Sequence, residues 1–182
     1  MRSFDYIRPT TVAEAAGLLA DNTGDPLVVA GGTAAVVLMH MGVLRPSLVI
    51  DVAGIGSMKR ASGGSLGALT TIRALERSPH GLLAEAAEQV ANVRVRNVAT
   101  VGGAICYGEP QTDTPAALIA LGATVEIASR SGTRSMALEN FFLSPYETAL
   151  ERGELLTAVA LPDPMSGSGG CHAKFTIGSP EN

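Results

Sequence analysis

The chain has no tryptophan, only four phenylalanines and three tyrosines, and two cysteines among 182 residues. Cys106 and Cys171 cannot build a disulfide framework. With no CxxC pair or Cys/His cluster, the chain is expected to hold no metal site or iron–sulfur cluster of its own. Long apolar runs are also missing. The longest, Ala34–Met39, is too short to span a bilayer, and the opening MRSFDYIRPTT has no signal core, so the expected location is cytoplasmic. Basic residues are few and scattered, and a formal net charge of −4 gives no reason to expect nucleic acid or an anionic membrane as partner. GxxxxGK[ST], GxGxxG and HExxH are all absent. That removes P-loop NTPases, the usual dinucleotide fingerprint and HExxH metalloproteases.

What is present is apolar and rich in small residues. At 46% hydrophobic and 16% charged, the chain is not disordered over most of its length. It is long enough for one sizeable core or for two small lobes sharing one. Phe4–Ile7 alternates like an edge strand, and Thr11-Val-Ala-Glu14 forms a capping box opening a helix with Val12, Ala15, Ala16 and Leu19 on one face. Leu27–Ala30 predicts a buried strand, Thr33–Met41 a helix and Leu48–Val52 another strand. This β-α-β-α-β order argues for a small parallel sheet covered by helices.

The glycine- and serine-rich stretch Ala53–Gly64 is expected to mark a lobe boundary. Beyond it, Ser65–Leu69 predicts a strand, and Thr71–Arg77 and Gly81–Ala91 predict helices. Thr114-Pro115 predicts a helix start with threonine at the cap, closed by Gly122. Thr124–Ala128, Arg134–Ala137 and Leu155–Leu161 predict strands that pair antiparallel. The expected fold is α+β, with a small lobe over 1–55, a larger mixed lobe over 56–163 and a Pro/Gly/Ser-rich tail over 164–182.

Two segments stand out. LVVAGGTAA (Leu27–Ala35) and ATVGGAI (Ala99–Ile105) each break a short β-branched run with a glycine pair. Without a Cβ the backbone takes positive φ and admits a ligand closely, and successive N–H groups in such a turn can cradle phosphate. At Gly31-Gly32 the turn also opens a predicted helix, whose first N–H groups are free. Taken separately, either pair is better explained by a plain tight turn. Asp113, thirteen residues after Thr100, either assists a cap or accepts hydrogen bonds from ligand hydroxyls, and Tyr107 and Glu109 share its loop. Arg94 and Arg96 fit a solvated or ion-paired face, Leu155 and Leu156 fit strand core unless one of them packs on an aromatic ring, and His40, His80 and His172 fit surface or helix-edge positions. No side chain is singled out as catalytic.

Ala30–Val52 (AGGTAAVVLMHMGVLRPSLVIDV) with Val95–Ala123 (VRNVATVGGAICYGEPQTDTPAALIALGA) resembles the FAD-binding subunit of molybdenum-containing hydroxylases. That family includes the medium subunit of carbon monoxide dehydrogenases and the FAD domain of xanthine dehydrogenases. The likeness continues through GALTTIRALERSP and FFLSPYETALERGELLTAVALP and covers about residues 2–163. It implies the two-lobe FAD-binding fold of the vanillyl-alcohol oxidase type. By position, Ala30, Gly31, Gly32, Thr33, Ala34 and Ala35 would wrap the FAD pyrophosphate from one side. Thr100, Gly102, Gly103 and Ala104 would approach from the other, as opposite jaws of one clamp. Tyr107 would belong to the same cofactor-binding set, Asp113 would meet the ribityl chain or nearby hydroxyls, and Leu156 would pack against the cofactor.

The resemblance also implies partners: a molybdopterin-binding large subunit and an iron–sulfur small subunit feed electrons to FAD, which passes them to an acceptor such as NAD or a quinone. This chain departs from the family at Ala104, where asparagine is usual, and at Cys106-Tyr107-Gly108-Glu109, where Ala-His-Ala-Asp is usual. Family members carry a further C-terminal domain beginning near a Lys-Phe motif. Here Lys174-Phe175 stands in that place, followed by Ile177-Gly178 where a basic pair is expected. A degenerate assembly subunit without tightly held FAD, or a standalone flavoprotein acting without molybdenum, are the alternative readings.

Overall fold

The computed structural model describes residues 3–62, 64–163 and 166–175. The remainder of the expected tail, including Ile177-Gly178, lies outside the described residues. Two sheets organise the chain. The first is three-stranded and parallel, built from β1 (Asp5–Ile7), β2 (Leu27–Val29) and β3 (Leu48–Asp51) in the order β1-β3-β2. Tyr6 pairs with Val49 and Val28 with Ile50. The central strand is the apolar one: Leu48, Val49 and Ile50 are buried, as expected for a parallel strand covered on both faces. Helix α1 (Val12–Asp21) joins β1 to β2, and α2 (Ala35–His40) joins β2 to β3. Thr11 caps α1 by accepting the Glu14 N–H at 3.1 Å. The Glu14 carboxylate reaches one residue beyond the expected box and accepts the Thr10 N–H at 2.8 Å.

Next come β4 (Ala61–Ser62), β5 (Ser65–Gly67) and four helices: α3 (Ile72–Leu75), α4 (Gly81–Glu88), α5 (Val93–Arg96) and α6 (Val101–Tyr107). A fifth, α7 (Asp113–Ala120), leads into β6 (Thr124–Ser129) and β7 (Gly132–Ala137). The hairpin β8 (Phe142–Ser144) and β9 (Glu147–Thr148) precedes β10 (Leu155–Ala160). The five-stranded sheet runs β4-β5-β10-β6-β7 and every neighbouring pair is antiparallel. The small parallel and larger antiparallel parts expected of the α+β fold are therefore both present. They share one hydrophobic cluster, into which Ile55 and Met58 of the stretch 53–64 are inserted. Helix α1 packs on β6 and β10, and an Arg130–Asp21 ion pair ties the β6–β7 turn to its end.

Two expectations change. The second glycine pair is not a strand exit: Thr100 is the N-cap of α6, and Gly102 and Gly103 lie in its first turn. Glycine and β-branched Val101 both lower helix propensity, which is why the sequence pattern hid this helix. Nor does Thr114 cap α7. Thr112 holds the N-cap position, Pro115 sits third in the helix where its missing N–H is tolerated, and the buried Thr114 hydroxyl has no hydrogen-bond partner among the described residues. The far end of α7 matches expectation. Gly122, at φ +71°, donates to Ile119 and Ala123 to Leu118, the paired bonds of a Schellman stop.

Candidate functional site

The two glycine pairs, seventy residues apart in sequence, line one cleft with a cavity volume of about 250 Å³. Ala30–Ala35 forms one wall, Gly102, Gly103 and Tyr107 the opposite one, and Leu156 part of the floor. Of the other residues singled out from sequence, Thr100, Ala104 and Asp113 do not line it.

The walls meet by close backbone packing. A Cβ on Gly31 would lie 1.9 Å from the Val98 carbonyl oxygen, so the Gly31 turn rests directly on the strip of backbone leading into α6. Gly32, at φ +70°, turns the chain from β2 towards α2 in a conformation costly for residues with a side chain. Gly102 presses on Ala68, where an added Cβ would come within 2.7 Å of the alanine's own Cβ. A chain of hydrogen bonds fixes this contact. The Gly102 N–H donates to the Ala68 carbonyl and the Ala68 N–H to the Thr157 carbonyl, both at 2.8 Å. Thr157 is the extra residue where the β10–β6 register shifts, so a bulge beside the cleft sets where α6 begins.

The two walls differ in what they offer a ligand. Among the described residues, no acceptor takes the N–H groups of Gly31, Gly32, Thr33, Ala34 or Ala35, all five beside the cleft. The first-turn amides of α6 are already bonded: Val101 to Thr70 O, Gly102 to Ala68 O, Gly103 to Thr100 Oγ1 at 3.1 Å and Ala104 to Thr100 O. One glycine pair supplies donors; the other supplies closeness.

Between these walls the lining is mostly apolar, with Leu27, Leu38, Leu44, Met58, Leu155 and Leu156. Cys106 and Glu154 were not legible as cleft residues from sequence, since neither carries a spacing signal. Glu154 is the one carboxylate in the lining, and Arg134 neutralises it through a two-pronged contact at 2.6 and 2.7 Å. That guanidinium holds the Glu154 carboxyl below its ordinary pKa, so the pair stays ionised and internally balanced. Cys106 lines the cleft, and desolvation pushes its thiol up to about 12. It is a neutral thiol at physiological pH.

Asp113 points to other partners. Its carboxylate takes Lys174 Nζ at 2.6 Å and His172 Nε2 at 3.2 Å, so the segment 166–175 is strapped to α7. His172, expected at the surface, is mostly covered by this contact. Arg96 is ion-paired with Glu76 at 2.7 Å, in line with the sequence reading.

Five amides that no acceptor among the described residues takes, in a turn free of acidic residues, lie across the cleft from α6 with an apolar lining between, and suit an extended ligand with a diphosphate and planar apolar rings. FAD has that chemistry, and the residues present fit it. The class so defined is the two-lobe FAD-binding fold. Residues 2–164 match the family described as the FAD binding domain in molybdopterin dehydrogenase, and the chain belongs to that family. The carbon monoxide dehydrogenase medium chain of Afipia carboxidovorans is 33% identical over 182 residues, covering 95% of this chain and 63% of the relative. The xanthine dehydrogenase FAD-binding subunit of Escherichia coli O157:H7 is 33% identical, covering 94% and 62%. Among solved structures, a carbon monoxide dehydrogenase from Hydrogenophaga pseudoflava that lacks the Mo-pyranopterin moiety superposes with a TM-score of 0.86 at 34% identity, covering 91% of this chain and 61% of that one. The chain thus spans less than two thirds of the length of these relatives. No helix among the described residues is long and apolar enough to cross a membrane.

Proposed function

We propose that this chain is the FAD-holding part of an electron-transfer subunit in a cytoplasmic molybdenum hydroxylase complex. In this reading a molybdopterin-binding large subunit and an iron–sulfur small subunit deliver electrons, and NAD or a quinone removes them. Bound FAD supplies the redox chemistry; the protein binds, orients and shields it. The observation that carries the reading is the row of unbonded N–H groups from Gly31 to Ala35, facing α6 across a single cleft. These donors are fixed before the ligand arrives, so little ordering opposes binding. Gly102 and Gly103 let α6 sit close against Ala68 and Thr100 where it borders the cleft. The apolar floor around Leu156 excludes water from the rings. With Glu154 balanced by Arg134, no net negative charge opposes the anionic ligand. The intact cradle favours this reading over a degenerate assembly role.

Cys106 provides the test. In a Cys171→Ser background, alkylation of Cys106 at pH 8 is expected to run slower than for an ordinary thiol, because the raised pKa leaves less thiolate. Saturating FAD is expected to slow it at least tenfold further, with a shifted flavin spectrum. An alkylation rate indifferent to FAD contradicts the assignment. Isolating the native complex and assaying molybdopterin and iron–sulfur content separates the complex from a standalone flavoprotein.

A further inference from the structure

Behind Tyr107, outside the cleft lining, stands a residue whose backbone calls for an explanation. Tyr146, in the β8–β9 turn, has φ +63°, and Ala91 is the only other described non-glycine residue at positive φ. A bulky side chain in that region is strained, and such strain persists only where the surroundings over-determine it. Here the end of α6 does so. The Tyr146 N–H donates to the Gly108 carbonyl at 2.8 Å, and the Tyr146 hydroxyl donates to the Glu109 carboxylate. Gly108, at φ +64°, brings its backbone against Tyr146, where even an added Cβ would sit 3.2 Å from the tyrosine's Cα. The rings of Tyr146 and Tyr107 then meet edge to face, with centroids 5.3 Å apart and planes at 65°.

Three consecutive residues, Tyr107, Gly108 and Glu109, thus receive one tyrosine of the hairpin, and the first of them is a wall of the cleft. We propose that Tyr146 is a positioning residue: held by Gly108 and Glu109, it fixes the Tyr107 ring at the cleft wall and so orients the bound cofactor. The inference rests on the FAD reading above. The Glu109 carboxylate pushes the Tyr146 phenol up to about 12, so the hydroxyl stays a donor throughout the physiological range. Tyr146 is itself more than half exposed, so its removal opens no core cavity.

The chain has three tyrosines, Tyr6, Tyr107 and Tyr146, and 3-fluorotyrosine labelling therefore gives three assignable fluorine resonances. FAD is expected to move the Tyr107 signal most and the Tyr6 signal least. Tyr146→Phe is expected to shift the Tyr107 signal in the free protein and to weaken FAD binding roughly threefold to tenfold, the size of one hydrogen bond. In a Tyr107→Leu background the same substitution is expected to change FAD affinity by less than about 1.5-fold, because its effect passes through Tyr107. A merely structural tyrosine would weaken binding equally in both backgrounds. Equal losses, or no loss in either, overturn this inference alone. A parent protein that binds no FAD overturns it together with the cofactor reading.

Discussion

Gly31→Ala is expected to abolish measurable FAD binding and to lower stability by about 3 kcal/mol, read by flavin titration and denaturant unfolding. The added methyl would occupy a point 1.9 Å from the Val98 carbonyl oxygen. No side-chain rotation relieves that overlap, because the obstacle is backbone. Either the Gly31 turn or the strip leading into α6 must move by more than an ångström, and the two walls of the cleft separate. Gly32→Ala makes the useful contrast. Its Cβ would meet the Val36 side chain at 3.2 Å and the Val29 side chain at 3.5 Å, no backbone, but φ +70° costs roughly 1 kcal/mol for a non-glycine residue. Gly32→Ala therefore loses less stability than Gly31→Ala while still disturbing the amide row. Equal stability of Gly31→Ala and the parent would mean that the walls do not meet where described.

Gly102→Ala is expected to cost about 2 kcal/mol and to weaken FAD binding at least tenfold, and Ala68→Gly is expected to restore part of both. The nearest atom to the new methyl would be the Ala68 Cβ at 2.7 Å, which that second change removes. The Ala68 carbonyl at 2.9 Å remains, so the rescue is incomplete. A strictly additive double variant would show that the two positions do not touch. The comparison separates a contact with a side chain, which can be relieved, from the Gly31 contact with backbone, which cannot.

The parallel sheet was legible because β2 and most of β3 are apolar runs, β1 alternates as an edge strand, and a capping threonine and a glycine pair mark the helix starts between them. The glycine pairs were legible as one site only as a set; each alone resembles a turn. Their division of labour was not legible. Whether an amide is free depends on which carbonyl stands opposite, and Ala68 and Thr70 lie some thirty residues upstream of α6. The hairpin β8–β9 escaped notice because its strands are two and three residues long and its turn places Tyr146, not glycine, at positive φ. Asp113 was singled out as a cap helper or an acceptor for ligand hydroxyls, whereas its carboxylate meets His172 and Lys174, which no spacing in the sequence links to it.

Amide-resolved NMR of the protein titrated with FAD tests the central claim most directly. The account predicts that the N–H signals of residues 31–35 shift downfield and lose solvent exchange on binding, while those of Val101–Ala104 are protected in the free protein and change little in exchange. If FAD binds and the 31–35 amides keep their free-state exchange, the diphosphate is held elsewhere and the account is contradicted.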